Sequence, residues 1–350
     1  MIRKDHDLAF MLKYENVAWY EIGQVKILDR RIYPTNIEYV TCKNHYEVAR
    51  AITDMVTQSA GPYTAASMGM ALAAYECHDM KYIDQIKYLE KAAYILSHAR
   101  PTTINRMKII TSKCLDIANK ALESGQKTDE AIFLHTLESM NRRYSKIEEV
   151  ARNLVSMFPN KGNIMTQCFG ETIVGMMLRV TRELKKEIKV FCPETRPYLQ
   201  GSRLTASVCY DQGFDVTVIT DNMPAFTMQT KNIDVFTSAA DSICLDGNVV
   251  NKVGTLQIAI SAHYFGVPYF VTGIPDEDLK SVSQIVIEER NPIEVLEFRG
   301  IKTTLDGVKG YYPAFDITPP KLISGVVTDK GIFSPFDLQR YYQNNKENFW

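Results

Sequence analysis

The sequence predicts an α/β protein, with an N-terminal small β plus helical domain over residues 1–156 and a C-terminal Rossmann-like, doubly wound parallel sheet over residues 157–350. Three observations carry this. From about Asn44 to Ser156 apolar residues recur at helical spacing with few breaks. From Lys161 onward short apolar runs alternate with helix-length segments. No repeat or low-complexity tract interrupts that alternation.

The elements follow in order. The stretch VAWYEIGQVKILDRRIYP holds two short β-like runs around Gly23. HYEVARAITDMVTQ, QIKYLEKAAYILSHA and TINRMKIITSKCLDIANKALESG then read as helices. The second half runs strand NIMTQC, helix ETIVGMMLRVTRELKKE, strand IKVFCPE, helix RLTASVCYDQG, strand DVTVITD, helix MPAFTMQTKN and strand IDVFTSA. Helix GTLQIAISAHYFG and strand PYFVTG complete it. Strands separated by single helices require right-handed βαβ crossovers, hence a parallel sheet.

Composition excludes several classes of partner. Forty Lys and Arg against forty-one Asp and Glu give a net charge of −1, so no basic field exists to hold a nucleic acid or an anionic membrane. The N-terminus lacks the unbroken apolar core of a signal peptide, and no segment reaches membrane-spanning length. Seven scattered cysteines without a CxxC pair read as reduced thiols of a cytoplasmic protein.

In an open parallel sheet the ligand crevice lies beyond the carboxyl ends of the strands. Cys168, Glu194, Asp221 and Asp241 all fall there, so four polar groups converge on one edge. A strand-end cysteine is often inert packing, but a helix opening at Phe169 to Thr172 would favour a thiolate at Cys168. Asp241, among apolar neighbours, fits a partly desolvated general acid with a raised pKa; it fits a helix N-cap as well.

GNVVNKVGT places Asn251 and Lys252 before a helix N-terminus, which suits a phosphate. Neither a Walker A motif nor a GxGxxG fingerprint is present, so a dinucleotide is not expected. ETRPYLQGSRLT, with Arg196, Gln200 and Arg203, reads as a binding loop entering a helix near Ser202. Arg100 precedes Pro101, and Thr102 and Thr103 are candidate caps for a helix starting near Ile104. His98 and His263 have no metal-ligand spacing and read as structural or surface residues.

At these residues the chain resembles the S-methyl-5-thioribose-1-phosphate isomerase family, whose fold is shared with regulatory subunits of translation initiation factor 2B. RPTTIN (100–105) resembles the family's RPTAVN, MTQC (165–168) its LTHC, and ETRPYLQGSRLTA (194–206) its ETRPxxQGxRLTA. ITDN (219–222) recurs unchanged. AADSICLDGNVVNKVGT (239–255) resembles GADRIxxNGDVxNKIGT, and the run through PAFDITP matches NPAFDVTP. The motifs come in the family's order over most of the chain.

The resemblance implies Cys168 and Asp241 as catalytic residues, and Arg100, Gln200, Asn251 and Lys252 as substrate-binding ones. It implies a small sugar-phosphate substrate, no cofactor, no metal and a homodimer. The initiation-factor subunits lack the cysteine–aspartate pair, so its presence favours an enzyme over a non-catalytic sensor of sugar phosphates or nucleotides. The implied reaction converts 5-methylthioribose 1-phosphate or 5-deoxyribose 1-phosphate to the ribulose 1-phosphate, in salvage of S-adenosylmethionine by-products, including methionine salvage. A ribose-1,5-bisphosphate isomerase would need a second phosphate clamp, and no extra basic cluster is visible.

Two departures bear on the substrate. The family's RGAP motif supplies an arginine to the phosphate, whereas QSAGP stands here and no arginine occurs between Ala51 and Ala99. Backbone N–H groups of Ser59, Ala60 and Gly61 are the replacement expected. Beside Cys168, Phe169-Gly170-Glu171 stands in place of Asn-Ala-Gly, which changes the pocket's size or polarity. Together these favour 5-deoxyribose 1-phosphate.

Overall fold

The computed structural model describes residues 2–100 and 104–343. The chain forms two compact units, divided between Ser145 and Lys146. Among the described residues no helix is long and apolar enough to cross a membrane.

The first unit holds α1 (Tyr14–Val17) and a three-stranded antiparallel sheet, β1 (Trp19–Glu21), β2 (Gln24–Leu28) and β3 (Tyr39–Cys42). Gly23 has φ +77°, which lets the chain reverse in two residues between β1 and β2. Helices α2 (His45–Thr53), α3 (Gly61–Glu76), α4 (Tyr82–Ser97) and α5 (Ile104–Ser124) follow, and α6 (Thr128–Ser156) runs across the division. The Asn44 side chain caps α2 by accepting from the Glu47 N–H. α3 carries no charge before Glu76, and every residue from Gly61 to Ala74 is buried, as an all-round apolar helix requires. The caps expected at Thr102 and Thr103 lie outside the described residues.

The second unit continues with β4 (Lys161–Met165), α7 (Thr172–Glu183), β5 (Glu187–Pro193), α8 (Ala206–Asp211), β6 (Asp215–Ile219), α9 (Pro224–Lys231) and β7 (Ile233–Ala239). Then come β8 (Ser242–Ile243), β9 (Val249–Lys252), α10 (Thr255–Phe265), β10 (Tyr269–Thr272), α11 (Ile293–Leu296) and a small hairpin, β11 (Glu297–Phe298) and β12 (Ile301–Lys302). β13 (Phe315–Thr318), β14 (Gly325–Thr328) and β15 (Gly331–Phe333) complete it.

The main sheet has the order β15-β14-β10-β7-β4-β5-β6, parallel except for the edge strand β15. Met165, Phe236, Val271 and Val326 are fully buried in its core. The mixed α/β class with a parallel-dominated sheet is thus present. From β4 the chain winds outward to β5 and β6, then returns to lay β7 on the other side of β4 and goes on to β10 and β14. Winding reverses between β4 and β7, so the crevice opens beyond the ends of those two strands. A second antiparallel sheet, β13-β9-β8, pairs Phe315 with Lys252 and Asp316 with Asn251.

Candidate active site

Cys168 and Asp241 follow β4 and β7, the two strands that flank the switch point. Cys168 has φ +58°, a left-handed conformation that a non-glycine residue adopts only where its surroundings impose it. The Thr205 hydroxyl supplies one constraint by donating to the Cys168 carbonyl. Thr205 ends a π-helical turn, Gly201–Thr205, so the ETRPYLQGSRLT loop holds the cysteine in place and enters α8 only at Ala206.

Burial pushes the Cys168 thiol up to about 11. The cations of Lys252 and Arg290 and the Phe169 backbone N–H pull it down, while the Asp241 carboxylate pushes it up. This corrects the expected thiolate. α7 begins only at Thr172, and desolvation outweighs the neighbouring positive charges. Lys252, Asp241 and Arg290 are thus within electrostatic reach of the thiol.

Asp241 leads into β8, so it caps no helix. Its N–H donates to the Val250 carbonyl at 2.9 Å, which joins the end of β7 to β9. Asp241 is exposed, and the partial desolvation read from its apolar neighbours is not present in the chain itself.

The loop after β5 is built for precision. A Cβ at Gly201 would stand 1.8 Å from the Pro193 carbonyl oxygen, so only glycine lets the turn return this closely to the strand end. Asp221 accepts the N–H groups of Thr195 at 2.8 Å and Arg196 at 2.7 Å, so this strand-end carboxylate orders the loop. Glu194 is half-buried, and burial next to Asp221 raises its pKa. Gln200 is buried, and its Oε1 has no hydrogen-bond partner among the described residues, an acceptor suited to a ligand hydroxyl.

Asn251 and Lys252 lie on β9, both buried. Asn251 Nδ2 donates to Thr255 Oγ1 at 3.0 Å, and Lys252 Nζ stands 4.8 Å from the centre of the Phe315 ring. The phosphate cradle expected at the α10 N-terminus is already occupied. Asp316 accepts the N–H of Gly254 at 2.7 Å and of Leu256 at 3.1 Å, so a carboxylate takes the place of the anion. The helix end therefore has no open N–H at Gly254 or Leu256.

Burial raises Asp316 to about 6 despite those bonds. A carboxyl that keeps its proton to higher pH in the folded chain than in the unfolded one stabilises the fold at acid pH. That contribution is complete below about pH 4 and is lost as pH rises through 6. Asp316→Asn should therefore flatten stability against pH between those values, and cost about 0.5–2 kcal/mol by weakening the α10 cap. Denaturant melts at a series of pH values check both; an unchanged slope contradicts the assignment.

The first unit holds the remaining expected positions. Arg100, between α4 and α5, is half-buried. Ser59 has φ +58° in the turn before α3. The Gly61 N–H donates to the Gln58 carbonyl at 3.1 Å, so it is committed to the turn and is not the open donor the sequence suggested. His98 stacks on Tyr94, and His263 is exposed. No group of three or more His, Cys, Asp or Glu among the described residues is arranged to hold a metal.

Arg290 and Asp316 were not singled out from sequence. Arg290 Nε donates to Glu288 at 2.8 Å and its guanidinium packs over the rings of Tyr198 and Phe315. Phe315 is also the ring beneath Lys252, so one aromatic side chain braces both cations. Arg290 comes from an irregular segment whose only regular signal is its pairing with the chain before β13, which a linear reading does not show.

Residues 58–335 match the model of the Initiation factor 2 subunit family. The chain belongs to that family. Methylthioribose-1-phosphate isomerase 1 of Pseudothermotoga lettingae is 36% identical over 88% of this chain and 92% of its own length. A 5-deoxyribose 1-phosphate isomerase of Clostridium botulinum is 35% identical, covering 89% of this chain and 93% of its own length. The crystal structure of 5-methylthioribose 1-phosphate isomerase from Pyrococcus horikoshii superposes with a TM-score of 0.83 at 30% identity, covering 96% of this chain and 99% of that one.

Proposed function

We propose that the protein is an aldose–ketose isomerase that converts a 5-substituted ribose 1-phosphate to the ribulose 1-phosphate. The observation that carries this reading is the pair Cys168 and Asp241, set at the switch point with Lys252 in electrostatic reach of the thiol. The names of the relatives support it. Residues 1–156 and 157–350 are its two domains in this reading, and a homodimer its assembly.

The anomeric phosphate locks the sugar in its ring, so opening must be catalysed. Cys168, as thiolate, takes the C2 proton; the electrons form a C1–C2 double bond as the C1–O4 bond breaks and Asp241, exposed in the free chain but desolvated and protonated beneath the bound sugar, protonates O4. The thiol then returns its proton to C1 while Asp241 takes the proton of the 2-hydroxyl, leaving a ketone at C2. Atoms and electrons balance without a redox cofactor. Lys252 and Arg290 assist by favouring the thiolate, Gln200 and Asn251 by orienting hydroxyls, and Lys252 and Arg100 by holding phosphate.

Phe169, buried beside the thiol, and the QSAGP turn favour 5-deoxyribose 1-phosphate over the methylthio sugar. Comparing kcat/KM on these two substrates and on ribose 1,5-bisphosphate tests the reading. We expect turnover of the first two, with the deoxy sugar at least equal. A clear preference for the methylthio sugar reverses the choice of substrate, and turnover of none leaves a non-catalytic sensor.

A further inference from the structure

Tyr312 carries a proton that nothing in the chain accepts. It is 3% exposed, and its hydroxyl has no hydrogen-bond partner among the described residues. Buried polar groups are rarely left so unless a ligand or water meets them. The Arg290 guanidinium is close enough to act on that hydroxyl, but a guanidinium only donates and cannot take the tyrosyl proton. Arg290 is itself half committed. Its Nε and Nη2 turn to Glu288 at 2.8 and 3.4 Å, while Nη1 is buried without a partner among the described residues.

The backbone fixes this pair. The Arg290 N–H donates to the Tyr312 carbonyl at 2.9 Å and the Ala314 N–H to the Glu288 carbonyl at 2.8 Å, on either side of an antiparallel bridge between Glu289 and Pro313. Arg290 and Tyr312 are therefore opposite one another, with both side chains on one face. Phe315, further along the same segment, pairs with Lys252, and its ring packs against both Lys252 and Arg290. Those two cations act on the Cys168 thiol, so Tyr312 stands beside the reacting centre. It also stands where the motif NPAFDVTP has asparagine, so its hydroxyl belongs to this chain's version of the motif.

We propose that Tyr312 is a further catalytic residue of the isomerisation: its hydroxyl donates to the 2-oxygen of the sugar, and Arg290 is the positioning residue that holds it there. This rests on the isomerase reading. Cys168 works on C2 and C1, and the oxygen at C1 belongs to the phosphate, so the oxygen left for the thiol's neighbours is that on C2. As Asp241 takes the 2-hydroxyl proton and C1 receives one from the thiol, the C2–O bond becomes a carbonyl and negative charge passes through that oxygen. A donor already fixed where the charge appears lowers the barrier. Burial pushes the Tyr312 pKa up, so the hydroxyl donates a hydrogen bond and keeps its proton throughout. Tyr198 is the side chain that turns aside for the sugar, since its ring packs against both Arg290 and Tyr312 and its hydroxyl is tethered to Glu294 at 3.3 Å.

The test pairs steady-state kinetics on 5-deoxyribose 1-phosphate with calorimetric binding of ribose 1-phosphate and 2-deoxyribose 1-phosphate, for full-length wild type, Y312F, R290K and R290Q. Binding is measured in a Cys168→Ser background, so that no sugar is consumed. We expect Y312F to lower kcat by about 10²- to 10³-fold and to raise KM by no more than about tenfold, while iodoacetamide alkylates its Cys168 at the wild-type rate. R290Q should lose at least as much, and R290K less. With Tyr312 present, ribose 1-phosphate should bind about fivefold more tightly than the 2-deoxy sugar, and Y312F should remove most of that preference. Wild-type kcat in folded Y312F, an unchanged preference for the 2-hydroxyl, or a thiol whose reactivity falls in step with kcat overturns the proposal. Should Y312F fail to fold, Y312L, which also lacks the hydroxyl, carries the same comparison. Turnover by wild type with wild-type kcat in Y312F removes Tyr312 and leaves the isomerase reading; no turnover by wild type, with the 2-hydroxyl preference lost in Y312F, removes the isomerase reading and leaves the contact between Tyr312 and the sugar.

Discussion

Cys168→Ser is expected to abolish isomerisation while leaving the fold intact. Serine accepts the same backbone conformation, and the Thr205 bond to the residue 168 carbonyl involves no side-chain atom of that residue. What is lost is an ionisable group able to take and return a carbon-bound proton. Proton transfer by a positioned side chain is worth about 10²- to 10⁴-fold, and a loss of at least that size is predicted in the formation of ketose 1-phosphate. The raised thiol adds a pH signature. With a midpoint of about 11, the thiolate fraction grows about tenfold per pH unit through the neutral range. Alkylation of Cys168 by iodoacetamide, followed by mass spectrometry, should accelerate accordingly and be blocked by substrate. A rate independent of pH between 7 and 9 would contradict the burial argument, and near-normal turnover by the serine variant would remove Cys168 from the mechanism.

Asp241→Asn should bring a loss of similar size, about 10²- to 10⁴-fold, because an amide can neither protonate the ring oxygen nor take the hydroxyl proton. The variant keeps the backbone bond from residue 241 to Val250, so its β7–β8 connection should be undisturbed. It also removes a negative charge that raises the Cys168 thiol. In the asparagine variant Cys168 should therefore react faster with iodoacetamide at a given pH even as turnover collapses. Because unfolding would also free the thiol, the comparison is made on a variant whose circular dichroism spectrum and melting match those of the wild type. Retention of turnover, or a slower thiol, would show that the two side chains do not act on one another.

The strand-end placement of these two residues was legible because the periodicity of the strands and helices was strong, whereas their roles rest on the family resemblance. NIMTQC, IKVFCPE, DVTVITD and IDVFTSA correspond to β4 to β7, and the order of winding alone sets the crevice beyond β4 and β7. The short strands β3, β8, β9 and β13, each of four residues or fewer, were not singled out. Long-range partners escaped too. Asp316 reaches Leu256 across 60 residues, and nothing local to PAFDITP announces that its carboxylate occupies a helix end. The phosphate cradle drawn from GNVVNKVGT failed on that bond. Arg143 lies likewise within an unbroken helix, where a second arginine reads as solvated surface until the fold brings Ala60 beside it. The thiol was misread in sign because helix proximity can be seen in a sequence, whereas desolvation depends on everything packed around it.

The most direct test of the isomerase reading is proton, carbon and phosphorus NMR of the purified protein with 5-deoxyribose 1-phosphate and with 5-methylthioribose 1-phosphate, followed over time. Isomerisation predicts loss of the anomeric proton signal coupled to phosphorus, growth of a methylene pair at C1 still bearing the phosphate, and a ketone carbon at C2, all absent with Cys168→Ser. An anomeric signal that persists for both sugars, in a protein that binds them, would contradict catalysis at Cys168 and Asp241.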